Sequence, residues 1–271
     1  MQELVLQGHR VRVLDNLSTG LEQNLLGGEL VVGDIRDLET VRRAMEGVEL
    51  VFHLAAIASV GASIVSPEES FSTNVVGTFN VLQAARRTGA QRLIMASSAA
   101  VHGSSPYGAH KASMERLGHA WSAVSDLDCV ALRYFNVFGP RQSLEYAAVI
   151  PSLASRMVQG LHPILTGDGR QTRDFCFVAD VVAANLAAIS APVAGSAIEI
   201  ARGESTSLLQ LVDLLNELLG TQLVPQFSAP RPGDLDHSVA DLRQARELLG
   251  YVARTSLKTG LAQTLDWVKS W

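Results

Sequence analysis

Short apolar segments alternate with longer amphipathic segments along this chain of 271 residues. The apolar segments are bounded by turns or polar residues and are predicted to be strands: residues 11–14, 30–32, 50–54, 92–97, 129–134 and 198–201. Helical patterns fill the intervals between them. Because this succession favours parallel strands joined by crossover helices, the sequence predicts an α/β fold with a doubly wound parallel sheet.

One helix is specified in detail by its sequence. Pro67 suits the first helical position, Ser66 before it is a good capping residue, and Gly89 is a natural left-handed terminator. Apolar residues recur at steps of three or four along this segment. We therefore expect one face of the helix to pack on the sheet: Phe71, Val75, Phe79 and Leu82.

Glycine and proline interrupt the alternation after residue 140. This change predicts a second, smaller α/β C-terminal lobe, with helices over residues 208–219 and 242–249. The predicted division gives the main sheet domain residues 1–139 and 176–200, and it gives the C-terminal lobe residues 140–175 and 201–271.

The composition excludes several classes of partner. Lys plus Arg number 22 against 27 Asp plus Glu, so a net charge of -5 provides no basic field for nucleic acid. Cys129 and Cys176 lie in apolar segments, which predicts buried thiols in a reducing compartment. There is no signal-peptide pattern, and residues 181–201 contain too many breaks to span a bilayer. We expect a cytoplasmic protein without a membrane partner and, since its histidines show no metal-ligand spacing, without a metal.

A tyrosine and a lysine stand four residues apart at the head of a predicted helix, at Tyr107 and Lys111. This spacing places both side chains on one helical face. A nearby ammonium lowers the pKa of a phenol, which would let Tyr107 act as a base near neutral pH. Ser98, at the carboxyl end of a predicted strand, would complete a Ser, Tyr, Lys triad. The spacing alone leaves an exposed helical pair as the alternative.

Five motifs occur together in a characteristic order. They are VFHLAA at residues 51–56, NVVGT at 74–78, SS at 97–98, YGAHK at 107–111 and RYFNVFGP at 133–140. With them the chain resembles the extended short-chain dehydrogenase/reductase family, specifically its nucleotide-sugar epimerases, over nearly its whole length. The resemblance implies a Rossmann-like first domain that binds NAD and a C-terminal lobe that binds a nucleotide sugar.

The resemblance also assigns residues to the cofactor. Ser98, Tyr107 and Lys111 are the implied catalytic set, and Lys111 also holds the nicotinamide ribose. A carboxylate at Asp15 suits the two free ribose hydroxyls of NAD and repels the 2′-phosphate of NADP, although a plain turn at the strand end is the alternative. The residues implied to contact NAD are Asp15, Asn16, Ser18, Thr19, Gly20, Asp34, Ile35, Leu54, Ala55, Ala56, Asn74, Tyr107, Lys111 and Tyr134.

The implied substrate is a UDP-sugar. Arg173 and Arg231 match arginines that hold its diphosphate, and guanidinium groups donate paired hydrogen bonds to phosphate oxygens. The residues implied to contact this substrate are Ser59, Ser63, Ser98, Asn136, Ala148, Val149, Arg173, Arg231, Asp234 and Ser238. The family further implies a homodimer formed through two helices of each subunit, one of which carries Tyr107 and Lys111.

The residues after Ser98 bear on the reaction. Relatives that dehydrate or decarboxylate sugars usually carry an acidic residue there, whereas this chain has Ala99 and Ala100. The expected reaction is therefore NAD-dependent 4-epimerisation through a transient 4-keto intermediate, in polysaccharide biosynthesis. Residues 146–151 and 173–176 resemble those of epimerases that act on UDP-N-acetylglucosamine, and Ser238 stands where glucose-restricted relatives tend to carry a bulky tyrosine. The resemblance therefore implies UDP-N-acetylglucosamine before UDP-glucose. The alternatives are a dehydratase or reductase of the same family and a truncated, non-catalytic nucleotide-sugar-binding protein.

The sequence departs from the family pattern at two places. It has no GxxGxxG loop, whose backbone amides receive the NAD pyrophosphate, and Met1 falls where the first helix should already have begun. We therefore expect a sheet without the family's first strand, and either a start upstream of Met1 or weakened NAD binding. The connection from Gly103 to Tyr107 is also short, which would displace Tyr107 relative to Ser98.

Overall fold

The computed structural model describes residues 1–143, 148–229 and 236–270. Within these ranges the six predicted strands are present, with ends within one residue of the predicted ones, and six further strands of two or three residues occur. The strands are β1 Arg12–Asp15, β2 Glu29–Val32, β3 Leu50–His53, β4 Arg92–Ser98, β5 Asp128–Tyr134, β6 Val137–Phe138, β7 Ile164–Thr166, β8 Thr172–Arg173, β9 Cys176–Phe177, β10 Ala197–Ile200, β11 Thr206–Ser207 and β12 Gln226–Ser228.

Eleven α-helices occupy the intervals in the described part of the chain. They are α1 Gln2–Leu6, α2 Leu38–Ala44, α3 Val60–Val65, α4 Pro67–Phe71, α5 Thr78–Thr88, α6 Pro106–Val124, α7 Val149–Val158, α8 Val178–Ala187, α9 Leu208–Leu219, α10 Arg243–Leu249 and α11 Leu257–Lys269. The two helices predicted in the C-terminal lobe are α9 and α10, so both predictions are confirmed.

The main sheet has four strands in the order β10-β5-β4-β3, and β1 and β2 form a separate parallel pair. β3 and β4 run parallel, with Leu50 opposite Arg92. Among the described residues β1 and β3 each pair along one edge only, although Leu14 of β1 and Val51 of β3 pack against the same core. These features confirm the predicted α/β fold with parallel strands, and in the described residues no strand joins β1 to β3.

The chain divides into two compact units, each with its own hydrophobic core. The first unit comprises Met1–Arg133 and Ala188–Ile198, and the second comprises Tyr134–Ala187 and Glu199–Trp271. Because β6 and α8 belong to the second unit, its boundaries differ there from those predicted. Which ligand each unit holds stays a prediction.

The helix predicted from Ser66 to Gly89 contains a change of period. Its middle, Ser72–Gly77, is a π-helix that joins α4 to α5. Gly89 ends α5 in the left-handed conformation at φ 77°, as predicted, whereas Ser66 makes no side-chain cap hydrogen bond, so that part of the prediction is wrong.

The π-helix also changes which residues face the core. A wider turn advances the helical face by less per residue than the 3.6-residue period assumes. Leu82 is fully buried, but Phe71 is 49% exposed and Phe79 is 38% exposed, so the predicted packing of these two rings on the sheet is wrong. Asn74 and Thr78 face inward instead.

Cys129 and Cys176 are buried free thiols, which confirms their predicted burial. No helix in the described ranges is both long and apolar enough to cross a bilayer. The same ranges contain no group of three or more His, Cys, Asp and Glu side chains that could hold a metal ion.

Candidate active site

The candidate site in the first unit is built on the first turns of α6. Ser105 caps this helix by accepting a hydrogen bond from the Gly108 amide at 3.1 Å, and Pro106 occupies the first helical position. Tyr107 is 8% exposed and Lys111 is 4% exposed, on the same helical face. The Lys111 Nζ lies 5.9 Å from the centroid of the Tyr107 ring, so the ammonium and the phenol share one environment.

Lys111 is tied to the end of the neighbouring strand. Its Nζ donates a hydrogen bond to the Ala96 carbonyl oxygen of β4 at 2.7 Å. Burial lowers the pKa of Lys111 to about 8, and the negative charge of Glu115 acts in the opposite direction. The lysine is therefore positioned by the same strand end that carries Ser98.

A close approach of backbone joins Ser98 to the start of α6. Ser98 ends β4, and its Oγ accepts a hydrogen bond from the Ala100 amide at 3.2 Å. A Cβ on Gly108 would lie 2.1 Å from the Ala100 carbonyl oxygen, so only glycine allows the turn after Ser98 to lie against α6. The short connection between Ser98 and Tyr107 is thus followed by a close contact between Gly108 and Ala100. Whether it displaces Tyr107 relative to Ser98 stays a prediction.

His53, the last residue of β3, is a buried neutral imidazole beside this site. Its Nε2 lies 2.8 Å from the Thr78 Oγ1, which donates its own hydrogen to the Asn74 carbonyl oxygen at 2.6 Å. The His53 Nε2 therefore carries the hydrogen and donates to Thr78. Burial, together with the charge of Lys111, lowers the pKa of His53 to about 3.

The residues predicted to hold the adenosine end of NAD gather at the carboxyl ends of β1 and β2. The Asp15 Oδ1 accepts from the backbone amide of Leu17 at 2.8 Å, and the side-chain Nδ2 of Asn16 donates to the Asp34 carboxylate at 3.0 Å. Hydrogen bonds from Arg36 lower the pKa of Asp34 to about 2. The ends of two parallel strands thus bring the carboxylates of Asp15 and Asp34 close together, and their contact with NAD stays a prediction.

The other residues of this group vary in what they offer a ligand. Ser18 and Thr19 are exposed, and Gly20 lies so close to Asp15 that a Cβ there would be 3.1 Å from the carboxylate. The Ile35 side chain is buried against Gly77, and its carbonyl oxygen accepts a hydrogen bond from the Asn80 side chain at 3.0 Å, so its contact with a cofactor stays a prediction.

The segment after β3 is held from the π-helix. Leu54 and Ala55 are exposed and Ala56 is half-buried. The side chain of Asn74 clamps this segment, because its Oδ1 accepts from the Ile57 amide at 2.8 Å and its Nδ2 donates to the Ile57 carbonyl at 3.0 Å. Asn74 therefore fixes the backbone of this segment, and its predicted contact with NAD stays a prediction.

The two serines predicted to contact the substrate from α3 already have backbone partners. Ser59 caps α3 by accepting from the Ala62 amide. Ser63 is fully buried, donates to the Val60 carbonyl at 2.7 Å and accepts from the Tyr107 amide at 3.1 Å. Ser63 therefore helps to fix the start of α6, and its contact with substrate stays a prediction.

The second unit contains the remaining predicted residues. The Tyr134 hydroxyl donates to Asn185 at 2.9 Å, and the Asn136 side chain donates to the Asp174 carbonyl at 3.2 Å. Arg173 of β8 is half-buried and its Nη1 donates to the Thr172 carbonyl. Three further residues complete this group: Ala148 and Val149 at the start of α7, and Ser238, whose amide donates to the Thr172 carbonyl.

A buried carboxylate organises the backbone next to Arg173. The Asp174 side chain accepts from the amides of Arg202, Gly203 and Ala240, at 3.0 to 3.2 Å. Sequence reasoning missed this role, for which full burial is the only signal. The predictions for Arg231, Asp234 and residues 146–147 lie outside the described residues.

Comparison with known proteins identifies the family. The model of the NAD-dependent epimerase/dehydratase family matches residues 1–201. This chain belongs to that family. The putative UDP-glucose 4-epimerase of Methanocaldococcus jannaschii is 32% identical over all of this chain and 94% of its own length.

Solved structures of the family agree with the fold. UDP-glucose 4-epimerase of Thermotoga maritima with UDP-glucose has a TM-score of 0.96 and 33% identity, over 99% of this chain and 93% of that one. UDP-glucose 4-epimerase of Thermus thermophilus, in complex with NAD, has a TM-score of 0.92 and 32% identity, over 98% and 93%. NAD is the cofactor of this family.

Relatives with other substrates and reactions match as well. UDP-N-acetylglucosamine 4-epimerase of Methanobrevibacter ruminantium, with UDP-N-acetylmuramic acid, has a TM-score of 0.94 and 31% identity, over 99% of this chain and 93% of that one. UDP-glucuronic acid decarboxylase 1 of Xenopus tropicalis is 28% identical over 98% of this chain and 68% of its own length. Membership therefore establishes an NAD-dependent enzyme class that includes several nucleotide-sugar reactions.

We expect His53 to make stability depend on pH. The pKa of His53 is about 3 in the folded protein and about 6.5 in a free histidine, so below pH 6.5 the unfolded chain binds a proton that the folded chain excludes. The free energy of unfolding should therefore fall as pH is lowered from about 6.5, by at most about 1.4 kcal/mol per pH unit from this group.

Urea denaturation at a series of pH values measures this effect. His53→Gln removes the titrating group, so its free energy of unfolding should vary less steeply with pH than that of the wild type. His9→Gln, at an exposed position, is the matched control. An unchanged slope in His53→Gln would contradict the assignment.

Proposed function

We propose that this chain catalyses NAD-dependent 4-epimerisation of a UDP-sugar through a transient 4-keto intermediate. The observation that supports it best is the buried Tyr107–Lys111 pair, held against the end of β4 where Ser98 lies. A phenol and an ammonium kept together away from water suit proton transfer at a sugar hydroxyl.

Each residue of this set has a distinct task in the proposal. The Lys111 ammonium favours the phenolate form of Tyr107, whose oxygen takes the proton of the C4 hydroxyl and later returns it. Ser98 hydrogen-bonds the same substrate oxygen. NAD, held in this proposal by Asp15 and Lys111, would supply the reversible hydride transfer at C4.

We propose that NAD binds along the carboxyl ends of the strands, with its adenosine at β1 and β2 and its nicotinamide at β4. The carboxylate of Asp15, at the end of β1, is proposed to hold the ribose hydroxyls of the adenosine, and Asp34 and Ile35, after the adjacent β2, are proposed to contact its adenine. Lys111 is proposed to hold the nicotinamide ribose. No two glycines of the sequence are three residues apart, so it offers no GxxGxxG loop for the pyrophosphate.

NAD content tests the cofactor part of the proposal. We expect about one NAD per purified chain, because residues for both ends of the cofactor are present. Denaturation followed by chromatography measures the released NAD. Asp15→Ala should lower the content, whereas Asp168→Ala, at an exposed acid in the second unit, is the control. A chain that takes up no NAD from excess would support the binding-only alternative.

The second unit is proposed to hold the nucleotide sugar. Arg173 and Arg231 would clamp the diphosphate, since each guanidinium donates two hydrogen bonds to phosphate oxygens. We propose UDP-N-acetylglucosamine as the preferred substrate and UDP-glucose as the second candidate. The support for this order is Ser238, whose small side chain leaves room for an N-acetyl group.

Tyr107→Phe tests the proposed chemistry. It removes the oxygen that moves the proton and keeps the ring, so kcat should fall by about 10² to 10⁴-fold, and the NAD content of the same preparation separates lost chemistry from lost cofactor. Chromatographic separation of the C4 epimers, with UDP-N-acetylglucosamine and UDP-glucose assayed in parallel, measures the reaction. Phe227→Leu, at an exposed ring outside the proposed site, is the control.

Product analysis also decides between reactions. Epimerisation leaves the mass of the substrate unchanged, whereas loss of water or carbon dioxide by the wild type would favour a dehydratase or decarboxylase. The absence of an acid after Ser98, where Ala99 and Ala100 stand, supports epimerisation. Much greater activity on UDP-glucose would overturn the choice of sugar.

We also propose a homodimer that assembles in the cytoplasm. The π-helix and α6 present an open apolar depression lined by Val75, Ala112, Ser113, Arg116 and Leu117. Exposed apolar surface of this kind is typical of protein–protein contacts. Two buried free thiols suit a reducing compartment.

Sedimentation velocity tests the dimer. We expect the wild type to sediment as a dimer and Val75→Arg as a monomer, because a second cation beside Arg116 would be buried without a partner. Val65→Arg, at a position that is 82% exposed and outside this depression, should remain dimeric. A monomeric wild type would refute the proposed assembly.

A further inference from the structure

Three polar side chains meet one helical turn beyond Lys111. The Glu115 Oε1 accepts from the Ser97 Oγ at 2.5 Å and from the Arg133 Nε at 2.9 Å, and its Oε2 accepts from the Arg133 Nη2 at 2.8 Å. Ser97 is 3% exposed, and the side chains of Glu115 and Arg133 are 11% and 24% exposed. The carboxylate is thus held from β4 and from β5 in a nearly dry place.

This cluster joins the same two elements that Lys111 joins. Ser97 lies directly between Ala96, which accepts the Lys111 hydrogen bond, and Ser98. Glu115 follows Lys111 by four residues on α6, so both lie on one helical face. Two hydrogen bonds from adjacent turns of α6 therefore reach adjacent residues at the end of β4.

Glu115 also places a negative charge near Lys111. The titratable or charged groups that face Lys111 are His53 from β3, Tyr107 and Glu115 on α6 itself, and Arg133 from β5 through Glu115. Burial keeps His53 neutral. A buried ammonium without a negative neighbour tends to lose its proton.

We propose that Glu115, held by Ser97 and Arg133, is a positioning residue that keeps Lys111 protonated and fixed at the end of β4. The Glu115 carboxylate supplies the negative charge that stabilises the Lys111 ammonium. Arg133 and Ser97 hold this carboxylate in place, so that the carboxylate does not draw Lys111 away from Tyr107. This inference rests on the proposed function for its effect on catalysis, but its effect on Lys111 does not require activity.

Three lysines in the whole sequence make a direct measurement practical: Lys111, Lys258 and Lys269. In protein labelled with 13C at the lysine Cε, each lysine gives one NMR signal, and Lys111→Met assigns the buried one. The pKa of Lys111 in the wild type is expected at about 8. In Glu115→Gln, which keeps the size and the acceptor oxygen, the Lys111 pKa should fall by about one unit.

Two further variants separate charge from folding. Glu115→Gln combined with Arg133→Met removes both charges of the pair, so the Lys111 pKa should lie between those of the wild type and Glu115→Gln. Asp128→Asn breaks the pair with Arg92, at the opposite ends of β4 and β5, and should leave the Lys111 pKa unchanged. It therefore controls for any general loosening of these strands.

Kinetics on the NAD-loaded protein provide the second readout. In Glu115→Gln the alkaline limb of the pH profile of kcat should move to lower pH by the same shift that the NMR titration gives. Ser97→Ala keeps the charge but removes the link to β4, so kcat should fall by about tenfold with KM and the alkaline limb unchanged. Asp128→Asn should retain the wild-type profile.

The outcomes separate this inference from the proposed function. An unchanged Lys111 pKa in both Glu115→Gln and the double variant would overturn the inference. Wild-type protein that holds NAD but converts no UDP-sugar would overturn the proposed function and leave the Lys111 titration valid. An unchanged kcat in Ser97→Ala would refute the positioning through β4.

Discussion

The hydrogen bond from a buried ammonium to a strand end is the interaction on which the candidate site depends. Lys111 Nζ reaches the Ala96 carbonyl at 2.7 Å, and this contact ties α6 to β4 at the point where Ser98 follows. Because an ammonium loses most of its hydration when it is buried, it persists only with acceptors and a balancing charge. The surrounding polar residues are arranged to provide both.

Most of the polar groups around this site hold backbone. Asn74 clamps Ile57, Ser63 accepts from the Tyr107 amide, and Gly108 allows α6 to lie against the turn after Ser98. Buried polar groups must be hydrogen-bonded. A loop whose backbone bonds to such a side chain therefore has few other conformations. These contacts therefore fix the position of Tyr107 before any ligand binds.

Sequence patterns predicted the strands well and one helix poorly, for a physical reason. Short apolar segments between turns report strands directly, and all six predicted ones occur in the described residues. The segment from Ser66 to Gly89 was assigned with a single period of 3.6 residues, and the π-helix at Ser72–Gly77 breaks that period. Local propensity does not register such a change, because tertiary contacts decide it.

The sequence by itself determined the α/β alternation and the Tyr107–Lys111 spacing, because periodicity and a four-residue step are local properties. Its motifs also indicated the family to which the chain belongs. Only the tertiary structure brought Ser97, Glu115 and Arg133 together, since Glu115 is 18 positions from each of the other two and meets them only where α6 packs on β4 and β5. The charge state of Lys111 likewise depends on burial and on those neighbours, which no linear pattern records.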